Sequence, residues 1–287
     1  MDEIISTQAS GLAPYKVDSL YLPDGSVSPH YADELAKHGM QWDAMMQDEH
    51  FVEVIDNELL AEQTADGPLA HLSRFAPNAA AEKLFFEWLA FITVDLGPWT
   101  TGGAIHFRPH WTRVLLLALN LGVREELPPA DLACLAMAAC FHDSRRKDPY
   151  LDTGHGARAA EYYAEFCAAT ADGSDRNSKA GCEMRFDPRA YLAMQWHDRD
   201  DGDGIDAIRR AFERNALPHL GIGDLQAALP QEAKADPVHL YLLFKDADGL
   251  DRVCLGANEP DPAYLRTDHA LELLPLAREM LRSTYDA

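Results

Sequence analysis

Apolar residues recur along most of the chain at intervals of three and four. The strict alternation of a half-buried strand is scarce, and Gly and Pro fall mainly between the periodic stretches. This spacing predicts helices almost throughout and an all-α fold. Residues 1 to about 30 break the pattern with Pro14, Pro23, Gly25 and Pro29 and read as an irregular arm. Helical character begins near Tyr31, and the segments YADELAKHGMQWDAMM and AAAEKLFFEWLAFITV form an N-terminal helical extension closed by Gly97 and Pro98. The chain therefore divides into an arm and extension over 1–97 and a helical domain over 98–287.

Two segments of that domain, HWTRVLLLALNLG and PPADLACLAMAACFHD, are apolar on nearly every side, which marks buried helices rather than surface ones. Gly122 is the expected stop of the first, and Pro128 and Pro129 suit the first turn of the second. A further helix from about Gly154 carries Ala159, Tyr163 and Phe166 on one face. DPRAYLAMQWHD, DAIRRAFERNA, PVHLYLLFKDADGLDRV and a terminal LELLPLAREMLRSTY follow it.

A buried helix has no structural need to end in FHDSRRKD, an imidazole and a carboxylate followed by three cations. Similar groups stand at the ends of other helices: His110, His155, His197 and the pair Asp246 and Asp248. Imidazole nitrogen with carboxylate oxygen suits divalent iron, manganese, cobalt, nickel or zinc, and a carboxylate can bridge two ions. Taken singly, each of these residues also fits an ordinary cap or core role.

Composition narrows the chemistry. With 47% hydrophobic and 25% charged residues the chain has the make-up of an ordinary globular protein. A formal net charge of −22 opposes binding to polymeric DNA or RNA, although a local cluster of cations or metal still accommodates a small phosphorylated molecule. The five cysteines lack CxxC spacing, so neither a disulfide framework nor a thiolate zinc site is indicated. No apolar run is long enough for a membrane span and the N-terminus lacks a leader pattern, so a cytoplasmic protein without membrane partners is expected. Phosphate loop, dinucleotide fingerprint, nucleophile elbow and HExxH are all absent from the sequence.

The order H…HD…H…H…D, carried by IHFRPHWTRV, FHDSRRKDPYLDTGHGARAA and KDADGLDRVCLGANEPDPAYL, resembles the HD-domain superfamily of metal-dependent phosphohydrolases, in particular a group of small bacterial HD proteins. The likeness covers about residues 104 to 268. It implies a helical HD bundle in which His110, His142, Asp143 and Asp248 are the core metal ligands. Asp248 is preferred to Asp246 because Ala247-Asp248-Gly249-Leu250 matches the family's Ala-Asp-x-Leu. His155 and His197 match the additional histidines that let some families hold two ions, be they Mn, Fe, Mg, Co, Ni or Zn. Arg146 matches the basic residue of HD-x-x-K/R and, with Lys147 and His106, is assigned to substrate; Asp143 and Arg146 are the catalytic candidates.

The activity so implied is hydrolysis of a nucleotide or other small phosphorylated metabolite. The alternatives are a mixed-valent di-iron oxygenase with the same ligand types and a non-catalytic sensor of a phosphorylated ligand. The acidic surface and the N-terminal helices could serve a homodimer. Arg113 is expected to pair with a carboxylate inside the fold. DRDDGDG fails the EF-hand pattern and reads as a solvated turn, with Asp198 a candidate to orient His197.

Overall fold

The computed structural model describes residues 68–96, 108–146, 152–171, 184–255 and 259–284. The fold is all-α, and no strand occurs among the described residues. After a 3-10 helix over Pro68–Phe75 come α1 (Ala79–Val94), α2 (Arg108–Arg124), α3 (Pro129–Phe141), α4 (His155–Ala171), α5 (Pro188–Trp196), α6 (Asp201–Arg214), the single turn α7 (Leu225–Ala228), α8 (Pro237–Leu250) and α9 (Asp268–Ser283).

Helix α2 is the axis of the molecule. Every residue from Pro109 to Gly122 is buried, because α1, α3, α8 and α9 pack around it. An apolar run without a polar face has no other stable position in water. Helix α1, from the segment read as the N-terminal extension, joins this same core. Phe91 lies 5.3 Å from Phe141 of α3 and 5.4 Å from Phe166 of α4, ring centre to ring centre. Tyr163 of α4 completes the cluster at 5.2 Å from Phe141.

The expected stop at Gly122 is not where α2 ends. The helix runs on to Arg124 and closes with Glu126 at a φ of 53°. The Leu127 N–H donates to Gly122 O at 2.9 Å and the Glu126 N–H to Val123 O at 3.1 Å, the paired bonds of a Schellman cap. Gly122 answers a packing demand instead, since a Cβ there would stand 2.5 Å from Leu132 Cδ2 of α3.

A buried ion triad sets α3 against α5. Arg189 is held by Asp187 at 2.7 and 3.1 Å and by Asp131 at the start of α3. Asp131 also accepts from the Lys234 and Ala235 N–H groups before α8. All three side chains are sealed from solvent. Three charges of this kind are stable only because each is paired and hydrogen-bonded. The acidic stretch 198–203 differs from the expected solvated turn: Asp200 caps α6, and Asp201 pairs with Lys245 at 2.5 Å and Arg266 at 2.6 Å. Opposite charges from α8 and the loop before α9 therefore fix this corner.

Candidate metal centre

The ends of α3 and α5, the N-terminal turns of α2 and α4 and the C-terminal half of α8 converge on one point. They bring together all six residues that the sequence nominates as ligands. His110, His142, Asp143, His155, His197 and Asp248 could hold a metal ion, their donor atoms overlapping in sets of three within 4.8 Å, and the distances between them gather these sets into two groups that share Asp143.

In the first group, His110 Nε2 lies 3.1 Å from His142 Nε2, 3.6 Å from Asp143 Oδ2 and 3.5 Å from Asp248 Oδ1. His142 Nε2 stands 3.8 Å from Asp143 Oδ2 and 3.6 Å from Asp248 Oδ1. In the second, His155 Nε2 lies 2.8 Å from Asp143 Oδ1 and 2.9 Å from His197 Nε2, with His197 Nε2 3.5 Å from Asp143 Oδ1. Ligand atoms about 2.0–2.2 Å from a common ion are necessarily about 3–3.5 Å from one another. Asp143 presents one oxygen to each group, the posture of a bridging carboxylate.

The fit to a cation follows from where the protons must be. His142 Nδ1 meets Ala139 O at 2.8 Å, His155 Nδ1 meets Asp152 O at 2.6 Å, and His197 Nδ1 meets Met194 O at 2.7 Å. A carbonyl oxygen only accepts, so each Nδ1 carries the proton. The corresponding Nε2 of a neutral ring is left with a lone pair. Asp251 does the same for His110, accepting from Nδ1 at 2.8 Å. Four lone pairs thus face one another in pairs at 3.1 and 2.9 Å. Such a contact is repulsive unless positive charge lies between them.

The electrostatics draw in the same direction. Burial works against a charge on His142, but Asp143 and Asp248 outweigh it and hold its pKa above the ordinary imidazole value. His197 goes the other way, held low by burial with the neighbouring His155 and His142 adding to it. Burial would raise Asp248, yet the bond from His142 and the charges of His142 and His110 keep its carboxyl well below the usual range. Five of the six candidate side chains are at most 6% exposed, whereas Asp248 is 31% exposed and marks the open side. Phe244 closes the back, its ring 5.5 Å from that of His142 and 5.8 Å from that of His197.

Asp246, the alternative ligand, is turned away. It is fully buried and accepts from the Arg266 and Thr267 N–H groups at 2.9 and 2.7 Å. On α8 the two aspartates point about 200° apart, so only one can face the centre. Arg146 approaches it, Nη1 standing 3.4 Å from Asp143 Oδ1 and 3.2 Å from His155 Nε2. Arg145 turns outward over the Tyr162 ring at 3.2 Å. Arg113 pairs with Asp251 at 2.6 and 2.9 Å. Asp198 takes the Gly154 N–H and lies 3.4 Å from His155 Nδ1; its charge acts on both His155 and His197, while the hydrogen bond on His197 Nδ1 goes to Met194 O. His106 and Lys147 lie outside the described residues.

Two contributors escaped the sequence reading. Asp251 stands one turn after Asp248, a helical spacing that could have flagged it. Gly156 gave no such signal: a Cβ there would lie 2.4 Å from Met194 O and 2.7 Å from His197 Nδ1. Its missing side chain is what lets α4 and α5 come close enough for His155 and His197 to meet. No protein-family model, curated protein or solved structure matches the chain.

Proposed function

We propose that the protein is a metal-dependent phosphohydrolase acting on a nucleotide or another small phosphorylated metabolite. The observation that carries this reading is Asp143, with Oδ2 toward His110 and His142 and Oδ1 toward His155 and His197. His110, His142, Asp143 and Asp248 would hold one divalent ion, and Asp143, His155 and His197 a second. Such ions supply Lewis acidity toward phosphoryl oxygens and an attacking water acidified toward neutral pH. The HD-domain resemblance of the motif residues agrees with this assignment.

The chain's own groups do the rest. The hydrogen bonds on the four Nδ1 atoms fix each imidazole in one tautomer and orientation, so that no ring must reorganise as charge develops. Phe244 and the apolar helices behind the cluster exclude water and strengthen every charge interaction in front of them. A substrate enters on the exposed side of Asp248. The Arg146 guanidinium, within reach of Asp143, is placed to pair with phosphoryl oxygens as their charge grows.

The test is a screen of phosphorylated metabolites with Mn²⁺, Mg²⁺, Co²⁺ or Ni²⁺, run on wild type and on Asp143→Ala. Phosphate release and bound metal are expected to vanish together in the variant, and turnover that survives the substitution would sink the proposal. Two irons in anaerobically purified protein, with oxygen consumed on adding a polyol or a phosphonate, would replace it with an oxygenase.

A further inference from the structure

The Arg146 guanidinium shares its partners with the second ion position. Its Nη1 donates toward His155 Nε2 at 3.2 Å and lies 3.4 Å from Asp143 Oδ1. Those two atoms, with His197 Nε2, make up the second donor group. His155 Nδ1 already spends its proton on Asp152 O, so Nε2 offers a single lone pair. That lone pair can accept an N–H or bind a cation, but not both. Asp143 Oδ1 is contested in the same way.

The first group is arranged differently. There Asp143 Oδ2 and Asp248 Oδ1 face the His110 and His142 nitrogens, and the nearby Arg113 guanidinium is held on the far side of His110 by Asp251. The two halves of the centre thus differ in charge. The first has two carboxylates facing two imidazoles. The second has one shared carboxylate and a fixed positive group on its donors.

We propose that Arg146 and a second divalent cation compete for Asp143 Oδ1 and His155 Nε2, so that the first ion binds on its own and the second loads only when the guanidinium swings away. This rests on the metal-holding reading of the cluster. It deepens that reading by making Arg146 a regulator of occupancy as well as a contact for an anionic substrate. The released guanidinium is then free to face the phosphoryl group, which links full loading of the centre to the presence of an anion. By linkage, whatever draws Arg146 out favours the second ion by the same factor that the second ion favours it.

The experiment is calorimetric and optical titration of metal-free full-length protein with Co²⁺ alone, comparing wild type with Arg146→Met, Arg146→Lys and His155→Ala. Wild type should show two binding events, the second weaker. Arg146→Met should tighten the second by roughly tenfold or more and the first by much less, because a unit charge within a few ångströms of the second group has been removed. Arg146→Lys should lie between the two, and His155→Ala should lose the second event alone. An unchanged second event in Arg146→Met overturns the competition while leaving the metal centre intact. Absence of any Co²⁺ binding in wild type overturns the metal reading and the competition together. Should Arg146→Met fail to fold, a crystal structure of wild type grown with excess Mn²⁺ decides the matter. Arg146 is expected beyond hydrogen-bond reach of both atoms when the second position is filled, and a guanidinium still bound to them beside that ion would refute the proposal.

Discussion

At the scale of single residues, the four histidines each engage Nδ1 in a hydrogen bond and turn Nε2 toward the cluster. The sequence supplies an imidazole, but the partner of its Nδ1 decides whether Nε2 can be a ligand. Asp251 shows how much depends on that partner. It accepts from His110 at 2.8 Å while pairing with the buried Arg113, and these two neighbours hold its carboxyl below the usual range despite burial. Asp251→Asn is expected to weaken the ion held by His110 by roughly 10- to 100-fold. It should also destabilise the fold by about 3–5 kcal/mol, because the buried Arg113 loses the carboxylate charge that Asp251 sets against it. Co²⁺ titration and urea unfolding read the two effects separately. The motif order nominated the six residues that could hold an ion, and a motif match preferred Asp248 to Asp246. Asp251 was not nominated: among the three aspartates of DADGLD its spacing of one turn from Asp248 was the only sign that it shares the inward face.

At the scale of elements, helix ends carry most of the donors that could hold an ion and helix packing sets their spacing. The strong 3.6-residue periodicity made the helices legible, and the uniformly apolar segments marked α2 and α3 as central. The end of α2 was not legible, because Glu126 rather than a glycine adopts the left-handed conformation there. Gly156 is the sharpest case of an element-level constraint. Gly156→Ala would press a methyl against the Met194 carbonyl, which cannot swing aside as a side chain does. The substitution should cost about 1–3 kcal/mol and, by parting α4 from α5, weaken the second ion selectively. The same Co²⁺ titration would show it, and equal loss at both positions would contradict it. The triad of Asp131, Asp187 and Arg189 binds α3 to α5 from inside the core. Arg189→Met leaves two buried carboxylates without their cation and should cost about 3–5 kcal/mol by urea unfolding, with the isolated helices' sequence periodicity unchanged.

At the scale of the whole molecule, a net charge of −22 favours divalent cations near the surface and opposes anions, so a phosphorylated substrate depends on positive charge concentrated at the centre. No helix among the described residues is long and apolar enough to cross a membrane. Because the six ligands come from five helices far apart in the chain, an ion that binds them binds only the folded state. At about 100 times its dissociation constant it should add about 2.7 kcal/mol of stability, a rise of about 5 °C in Tm for a chain of this size. Thermal melts with and without Co²⁺, reversed by a chelator, measure it. An unchanged Tm would argue that the cluster does not take up the ion.

By itself the sequence determined the helices, their buried faces and the donor chemistry, because those follow from local periodicity and residue type. Only the tertiary structure decided which protons sit on which nitrogens, that Asp251 backs His110 and where Arg146 rests. Each of these depends on contacts between residues tens of positions apart, and close packing fixes such contacts only after the helices have met.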